Sequence, residues 1–368
     1  MSPRRDIPAE MTGALELVAP GTELREAIDN IIWAHSGALI VVANPRKLER
    51  LELISGGIKL DTEFTPMRLY ELAKMDGAIV VSPDISYIHF ANAQLSPDPT
   101  LPSEETGLRH LAGHRTAQQT GDLVVVVSER RRIVSLYRGF YGPHVLEDIS
   151  VVLSKAGSAL ATLEKYTRRL REEARALTLH EYDGAVTLRE VVGALATFEY
   201  TVRIAGEIEN HVRELGREGR LVELQLEQAF HDVPEQYNAL IRDYAAESMD
   251  HEEVRARLHE LSGEKLSDPM EMAEVLGYDN TGPLVEFFLK PRGYRQLVRV
   301  PRLPSRVAEK LIEEFGTLRE LLEATEEDLD EVEGVGQARA RTIGATSSGN
   351  APWRDRRRSC KVWPRRKG

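Results

Sequence analysis

A chain of 368 residues is longer than one hydrophobic core commonly fills, so two or three domains are expected. With 42% hydrophobic and 29% charged residues, and no apolar run near the roughly 18 residues of a membrane span, the composition excludes both a disordered and a membrane-embedded protein. The net charge of −11 argues against a protein that coats nucleic acid by bulk charge, yet residues 351–368 hold eight Lys or Arg against one Asp, which leaves −18 on the rest. The single cysteine, Cys360, excludes a disulfide framework and a cysteine-based zinc site, and no apolar run follows MSPRRDIPAEMTG, so a cytoplasmic location is expected.

In the first 140 residues, short branched apolar runs alternate with helical patterns. ALIVVA (38–43), GAIVVS (77–82), SYIHFA (86–91), DLVVVVS (122–128) and RIVSLY (132–137) read as strands, and those apolar throughout as central ones. Between them, Thr65 as N-cap and Pro66 in the first turn open a helix over 66–75 with Met67, Leu69, Leu72 and Met75 on its apolar face. These elements predict an α/β domain over residues 1–145.

From His144 to Gly282 apolar residues recur at helical spacing, with little turn chemistry before Asp183-Gly184. A helical linker or spine over 146–290 is expected, serving as scaffold. Residues 291–345 then form a third unit of two short helix pairs, with turns at Arg302-Leu303-Pro304 and Gly334-Val335-Gly336. Val332, Gly334, Val335, Gly336, Ala340 and Ile343 stand where a helix-hairpin-helix needs them: the glycines permit a tight turn that presents N–H groups to a phosphate, and Ala340 permits close packing. Arg302 and Arg339, with Arg299, Arg306 and Arg341, supply the charge for a sequence-nonspecific DNA contact. The acidity of residues 313–333 favours the other reading, a hairpin used for packing or protein contact.

Asp76-Gly77-Ala78 lies at a helix-to-strand junction, where the carboxylate can face a pocket and Gly77 lets a ligand approach the backbone; a plain turn residue is the alternative. The same tripeptide at Asp183-Gly184-Ala185 sits among helices and reads as an interhelical loop.

The segments LYELAKMDGAIVVS, ANAQLSPDPTLPSEETG and QQTGDLVVVVSERRRIVSLYRG, with an Arg-His helix start between the last two, closely resemble the nucleotide-binding domain of the DisA family of diadenylate cyclases. The helical middle and hairpin end follow in the family's order, so the resemblance covers residues 12–343. It implies a multidomain α/β plus all-α protein: an N-terminal α/β diadenylate cyclase domain, a helical spine and a C-terminal helix-hairpin-helix DNA-binding domain. The implied activity is condensation of two ATP into cyclic di-AMP and two pyrophosphates, coupled to branched or damaged DNA, in a homo-octamer of facing cyclase domains. Asp76 is then the catalytic residue and the ligand of Mg2+ or Mn2+. Gly77, Ala78, Leu95, Leu108, Arg109, His110, Leu111 and Ala112 fall on ATP-binding positions.

Aligned without a gap from Thr106-Gly107 to Thr120-Gly121, the chain departs from the family's Gly-Thr-Arg-His-Arg run: Leu108 replaces the threonine and Leu111 the second arginine. A hydroxyl and a guanidinium are thereby lost from the phosphate-binding set. Arg115, one helical turn beyond Leu111, is placed to recover part of this, and a gapped alignment would bring His114-Arg115-Thr116-Ala117 to the motif instead. The second functional reading is therefore a catalytically weakened relative that acts mainly in DNA binding or assembly. After Ile343, Gly, Ser and Pro break the helical period, so residues 346–368 are expected to be a basic disordered arm or the product of a shifted reading frame.

Overall fold

Apolar runs with no polar face must be covered on both sides, and they form the middle of an eight-stranded sheet. The computed structural model describes residues 9–278 and 287–348. The chain begins α1 (Ala9–Leu17), α2 (Glu23–Trp33), β1 (Ala38–Val42), α3 (Pro45–Arg50), β2 (Ile54–Ser55), β3 (Ile58–Glu63), α4 (Pro66–Leu72) and β4 (Ala78–Val81). It continues β5 (Tyr87–Leu95), α5 (Leu108–Thr120), β6 (Leu123–Val127), β7 (Val134–Arg138) and β8 (Tyr141–Leu146). The strand order is β2-β5-β4-β1-β6-β7-β8, with β3 also pairing β5. The three strands buried along their full length, β4, β1 and β6, are adjacent at the centre.

Side chains alternate across these strands. Ile40, Val42, Ile79, Val81, Val125 and Val127 belong to a core with Leu15, Leu24, Ile28 and Leu69 from α1, α2 and α4. Leu39, Val41, Val80, Val124 and Val126 share the opposite core with Leu48 of α3 and Ala117 of α5.

Beyond β8 the described chain is helical: α6 (Ile149–Asp183), α7 (Leu188–Leu215), α8 (Arg220–Phe230), α9 (Val233–Tyr244), α10 (His251–Glu260), α11 (Gly263–Leu266) and α12 (Pro269–Val275). After residues 279–286 come α13 (Tyr294–Leu297), α14 (Ser305–Phe315), α15 (Leu318–Glu323), α16 (Glu326–Glu331) and α17 (Gln337–Ser348). Two compact units result among the described residues. One ends at Leu160 and takes in Glu207–Gln225; the other holds Ala161–Gly206 and continues from Leu226. No described helix is long and apolar enough to cross a membrane.

Three expectations are corrected. The helical region does not start at His144, because Tyr141–Leu146 pairs antiparallel with β7 and the helix begins at Ile149. The apolar spacing of this stretch suits either period, and Pro143 is tolerated on an edge strand that needs no N–H on its open side. The helix opened by Thr65, whose side chain accepts from the Arg68 N–H, ends at Leu72 and not Met75, since exposed Met75 offers no burial to extend it. The expected break after Ile343 is not there: α17 continues through Ser348, one helical glycine costing only about 1 kcal/mol. The basic tail from residue 349, with Cys360, lies outside the described residues.

Helix α5 lies unusually close to the sheet at Gly113, where a Cβ would stand 2.9 Å from Val126 Cγ2 and 3.2 Å from both Leu39 Cδ1 and Val124 Cγ1. Gly113→Leu is expected to force the helix outward and cost about 1–3 kcal/mol, read as a lower Tm of the full chain; an unchanged Tm would refute so close an approach.

Candidate functional site

Parallel pairing of β1 with β4 brings the starts of both strands to one edge of the sheet, and antiparallel β5 and β6 bring their ends to the same edge. Gly37 precedes β1 there, Asp76 and Gly77 precede β4, and Leu95 closes β5. Gly77 is required by packing, since a Cβ would lie 2.4 Å from Asn92 C and 2.5 Å from Asn92 Cα. This approach of two backbones leaves the preceding residue at the rim. The Asp76 side chain is accordingly 93% exposed, and Arg109 Nη2 donates to its Oδ1 in an ion pair.

Arg109 reaches Asp76 by crossing Gly37, where a Cβ would stand 2.2 Å from Nη1. Gly37 thus belongs to the site, although the sequence did not single it out. Locally it is only a glycine ahead of a strand, and no nearby residue signals that a side chain from position 109 will lie over it.

The first turn of α5 leaves its N–H groups open and has no carboxylate of its own to meet them. Its N-cap is Gly107, no side chain caps it, and it holds no acidic residue. Leu111 N–H is bonded to Gly107 O at 2.8 Å, while the earlier N–H groups lie ahead of the helix's own ladder and carry the positive end of its dipole. Leu108 projects outward, 87% exposed. His110 is half-buried, and burial holds its pKa below the ordinary histidine value, assisted by Arg131 and Arg109 and opposed by Glu105. Leu111 is half-buried, and Ala112 and Leu95 are half-buried against the core beneath. Ala78 is fully within that core. These apolar positions can offer a ligand backbone and surface only.

Arg115 does not approach this turn, because its Nε donates to Leu101 O at 2.9 Å. His114 is buried under the helix. The structure therefore places neither the Arg115 substitution nor the gapped motif at the helix start.

In the other unit, residues 300–311 and 332–343 repeat one pattern: buried Val300 and Val332, a positive-φ residue at Arg302 (φ 58°) and Gly334 (φ 96°), then buried Ala308 and Ala340, and Leu311 and Ile343. All the buried members share one core. Arg302 and Arg306 are exposed and make no hydrogen bond or ion pair among the described residues. Gly336 (φ 50°) is exposed at the start of α17. Arg339 Nη1 donates to Gly334 O at 2.6 Å and so helps close the turn that it flanks. Val335 is buried and its N–H is bonded to Val332 O, which makes it a support of the turn. Arg299 donates to Thr178 Oγ1, and Arg341 lies 3.6 Å from Glu326.

No three His, Cys, Asp or Glu side chains cluster to hold a metal among the described residues. One exposed carboxylate beside an uncapped helix start would fit a hard cation that draws its other oxygens from phosphates and water.

Residues 25–140 match the family model of the DisA bacterial checkpoint controller nucleotide-binding region, 146–284 that of its linker region, and 300–351 the helix-hairpin-helix motif. The DNA integrity scanning protein DisA of Clostridium kluyveri is 42% identical over 334 residues, covering 91% of this chain and 93% of its own. Its counterpart in Clostridium tetani is 43% identical, covering 91% and 92%. The Carboxydothermus hydrogenoformans protein is 43% identical over 332 residues, covering 90% and 94%. Identity at this level over about nine tenths of the chain, with family matches to its sheet, linker and hairpin regions, means that this chain belongs to the DisA family.

Proposed function

We propose that the chain condenses two ATP into cyclic di-AMP and two pyrophosphates at the β1/β4 edge, and that its hairpins report on branched or damaged DNA. As a DisA-family member it carries a diadenylate cyclase domain and a DNA-binding helix-hairpin-helix unit. The observation that carries the site assignment is the Arg109–Asp76 pair, which sets a carboxylate beside an uncapped, acid-free helix start.

In this reading Gly77, Ala78, Leu95 and Leu108–Ala112 border the nucleotide, and Arg109 with the α5 N–H groups holds its phosphates. The 3′-hydroxyl oxygen of each ATP attacks the α-phosphorus of the other; in each of these two displacements an oxygen–phosphorus bond forms, the bond to a pyrophosphate oxygen breaks, and the hydroxyl proton passes to the Asp76 beside it. Asp76 would also hold Mg2+ or Mn2+, which would supply positive charge to neutralise the phosphates. Each displacement needs a second bound ATP, so in this reading the site faces that of another copy, within the homo-octamer that the family resemblance implies. We place the assembly in the cytoplasm with its nucleotide and DNA.

Three measurements test this. The full chain with ATP and Mg2+ or Mn2+ should yield cyclic di-AMP, and Asp76→Asn should lower its rate about 100-fold or more; intact ATP binding without product would establish the weakened relative instead. Gly37→Ala, whose Cβ would displace the end of the Arg109 side chain and stand 3.2 Å from the Val127 carbonyl oxygen, should weaken ATP binding about tenfold through misplaced Arg109 with at most a small fall in Tm. Arg302→Gln should weaken binding evenly across DNA sequences and reduce the salt dependence by about one counterion; an unaltered salt slope would remove Arg302 from the DNA contact.

A further inference from the structure

The chain from 96 to 107 joins Leu95 to the first turn of α5, two places assigned above to the nucleotide, and that first turn has no capping side chain to fix it. It is held from outside itself. Gln119 Oε1 accepts from Asp98 N–H at 3.0 Å, Arg115 Nε donates to Leu101 O at 2.9 Å, and Gln118 Nε2 donates to Pro102 O at 3.0 Å. His114 Nδ1 lies 2.9 Å from Ser103 Oγ, and Tyr137 on β7 donates its hydroxyl to Glu105 Oε1 at 2.7 Å. Tyr137 is fully buried and its ring stacks on buried His114, with centroids 5.2 Å apart and planes 30° from parallel.

We propose that His114, Tyr137 and Glu105 are positioning residues for ATP: together they lock the 96–107 loop so that the uncapped start of α5 keeps its N–H groups and Arg109 aimed at the phosphates. This rests on the cyclase reading of the site. None of the three belongs to the first turn, and Arg109 alone bridges to Asp76, so they act through the loop and the helix they hold.

Hydrogen bonding fixes the imidazole in one state. Gln118 Nε2 donates to Pro102 O and also lies 3.0 Å from His114 Nε2, so that ring nitrogen accepts and Nδ1 carries the proton to Ser103 Oγ. A protonated ring would set an N–H against the Gln118 amide N–H and open this corner. Burial lowers the His114 pKa, and Glu105 from the loop opposes it; Tyr137, facing from β7, has its phenol pushed upward by burial and Glu105 and stays a donor. The neutral ring thus persists to a lower pH than an ordinary histidine would allow, and the lock is lost as pH falls through the lowered value.

Binding of ATP and its turnover in the full chain test the proposal. Tyr137→Phe preserves the buried ring and should raise both the Kd and the KM for ATP about tenfold with kcat little changed, and Glu105→Leu should do the same, because each removes the one shared bond. The double variant should lose nothing further. ATP affinity of the unaltered chain should fall as pH drops below the ordinary histidine range, and His114→Gln should flatten that fall to what His110 alone contributes. A lowered Tm with unchanged ATP Kd and KM, or identical acid limbs with and without His114, would make these residues merely structural and overturn the inference. Glu105 lies in the loop outside the buried ring stack, so Glu105→Leu, which leaves no acceptor for the Tyr137 hydroxyl, decides the matter if Tyr137→Phe does not fold. An unaltered chain that bound no ATP would instead overturn the site reading and the inference with it.

Discussion

The first unit depends on how closely one helix lies on its sheet. Gly113 permits α5 to rest on Val126, Val124 and Leu39, and that depth sets where both ends of its reach fall. From its first turn Arg109 crosses Gly37 to Asp76; from its later turns His114, Arg115, Gln118 and Gln119 grip the loop that precedes it. A helix displaced by even a side-chain diameter would lose both sets of contacts at once. The burial of apolar sheet and helix surface supplies the energy, and the polar contacts fix the placement.

The second unit is organised around buried carboxylates. Glu181 accepts from the Tyr244 hydroxyl at 2.7 Å, from Gln296 Nε2 at 2.6 Å and from the Arg295 guanidinium. Asp243 accepts the N–H groups of Gly293, Tyr294 and Arg295 and so caps α13 from a separate helix. Burial and the nearby Glu181 push Asp243 up to about 7, against the pull of those N–H donors. Buried charges of this kind seldom add net stability compared with apolar packing, but their geometry is demanding. Arg242, paired with Glu309 at 2.8 Å and lying over the Tyr294 ring, and Arg292, bonded to Arg242 O and Ala245 O, continue the same join. The first hairpin is therefore attached to the linker helices through directional contacts.

What could be read without coordinates follows the range of the interaction. The central strands, the Thr65 cap and the glycines of the second hairpin are local signals, because burial on both faces, an orphan N–H and a positive φ each leave a mark within a few residues. The roles of Gly37 and Arg115 are not local: one is set by a guanidinium arriving from residue 109, the other by a carbonyl at Leu101 that could not be placed before the loop was. Strand β8 was hidden because a half-exposed edge strand needs little apolar pattern, and β3 for the same reason. Val335 was legible as part of the hairpin but not as a buried support, since its N–H partner, Val332, becomes evident only when the turn closes.

The exposed Asp76–Arg109 pair bears on how such a site can work. Ion pairs this open to solvent contribute little to stability and are screened by salt, so the pair does not hold the fold together. That weakness is useful at a nucleotide site. Phosphate oxygens can take over the guanidinium, and the freed carboxylate can then meet a cation or a hydroxyl proton, without breaking anything that positions either residue. Asp76 is placed by the Gly77 contact with β5, and Arg109 by α5 on its sheet and loop. In the proposed reading, leucine in place of the polar residues expected at 108 and 111 would remove ligand contacts, but neither replacement touches what positions Asp76 and Arg109, so affinity and rate would be separable from the integrity of the site.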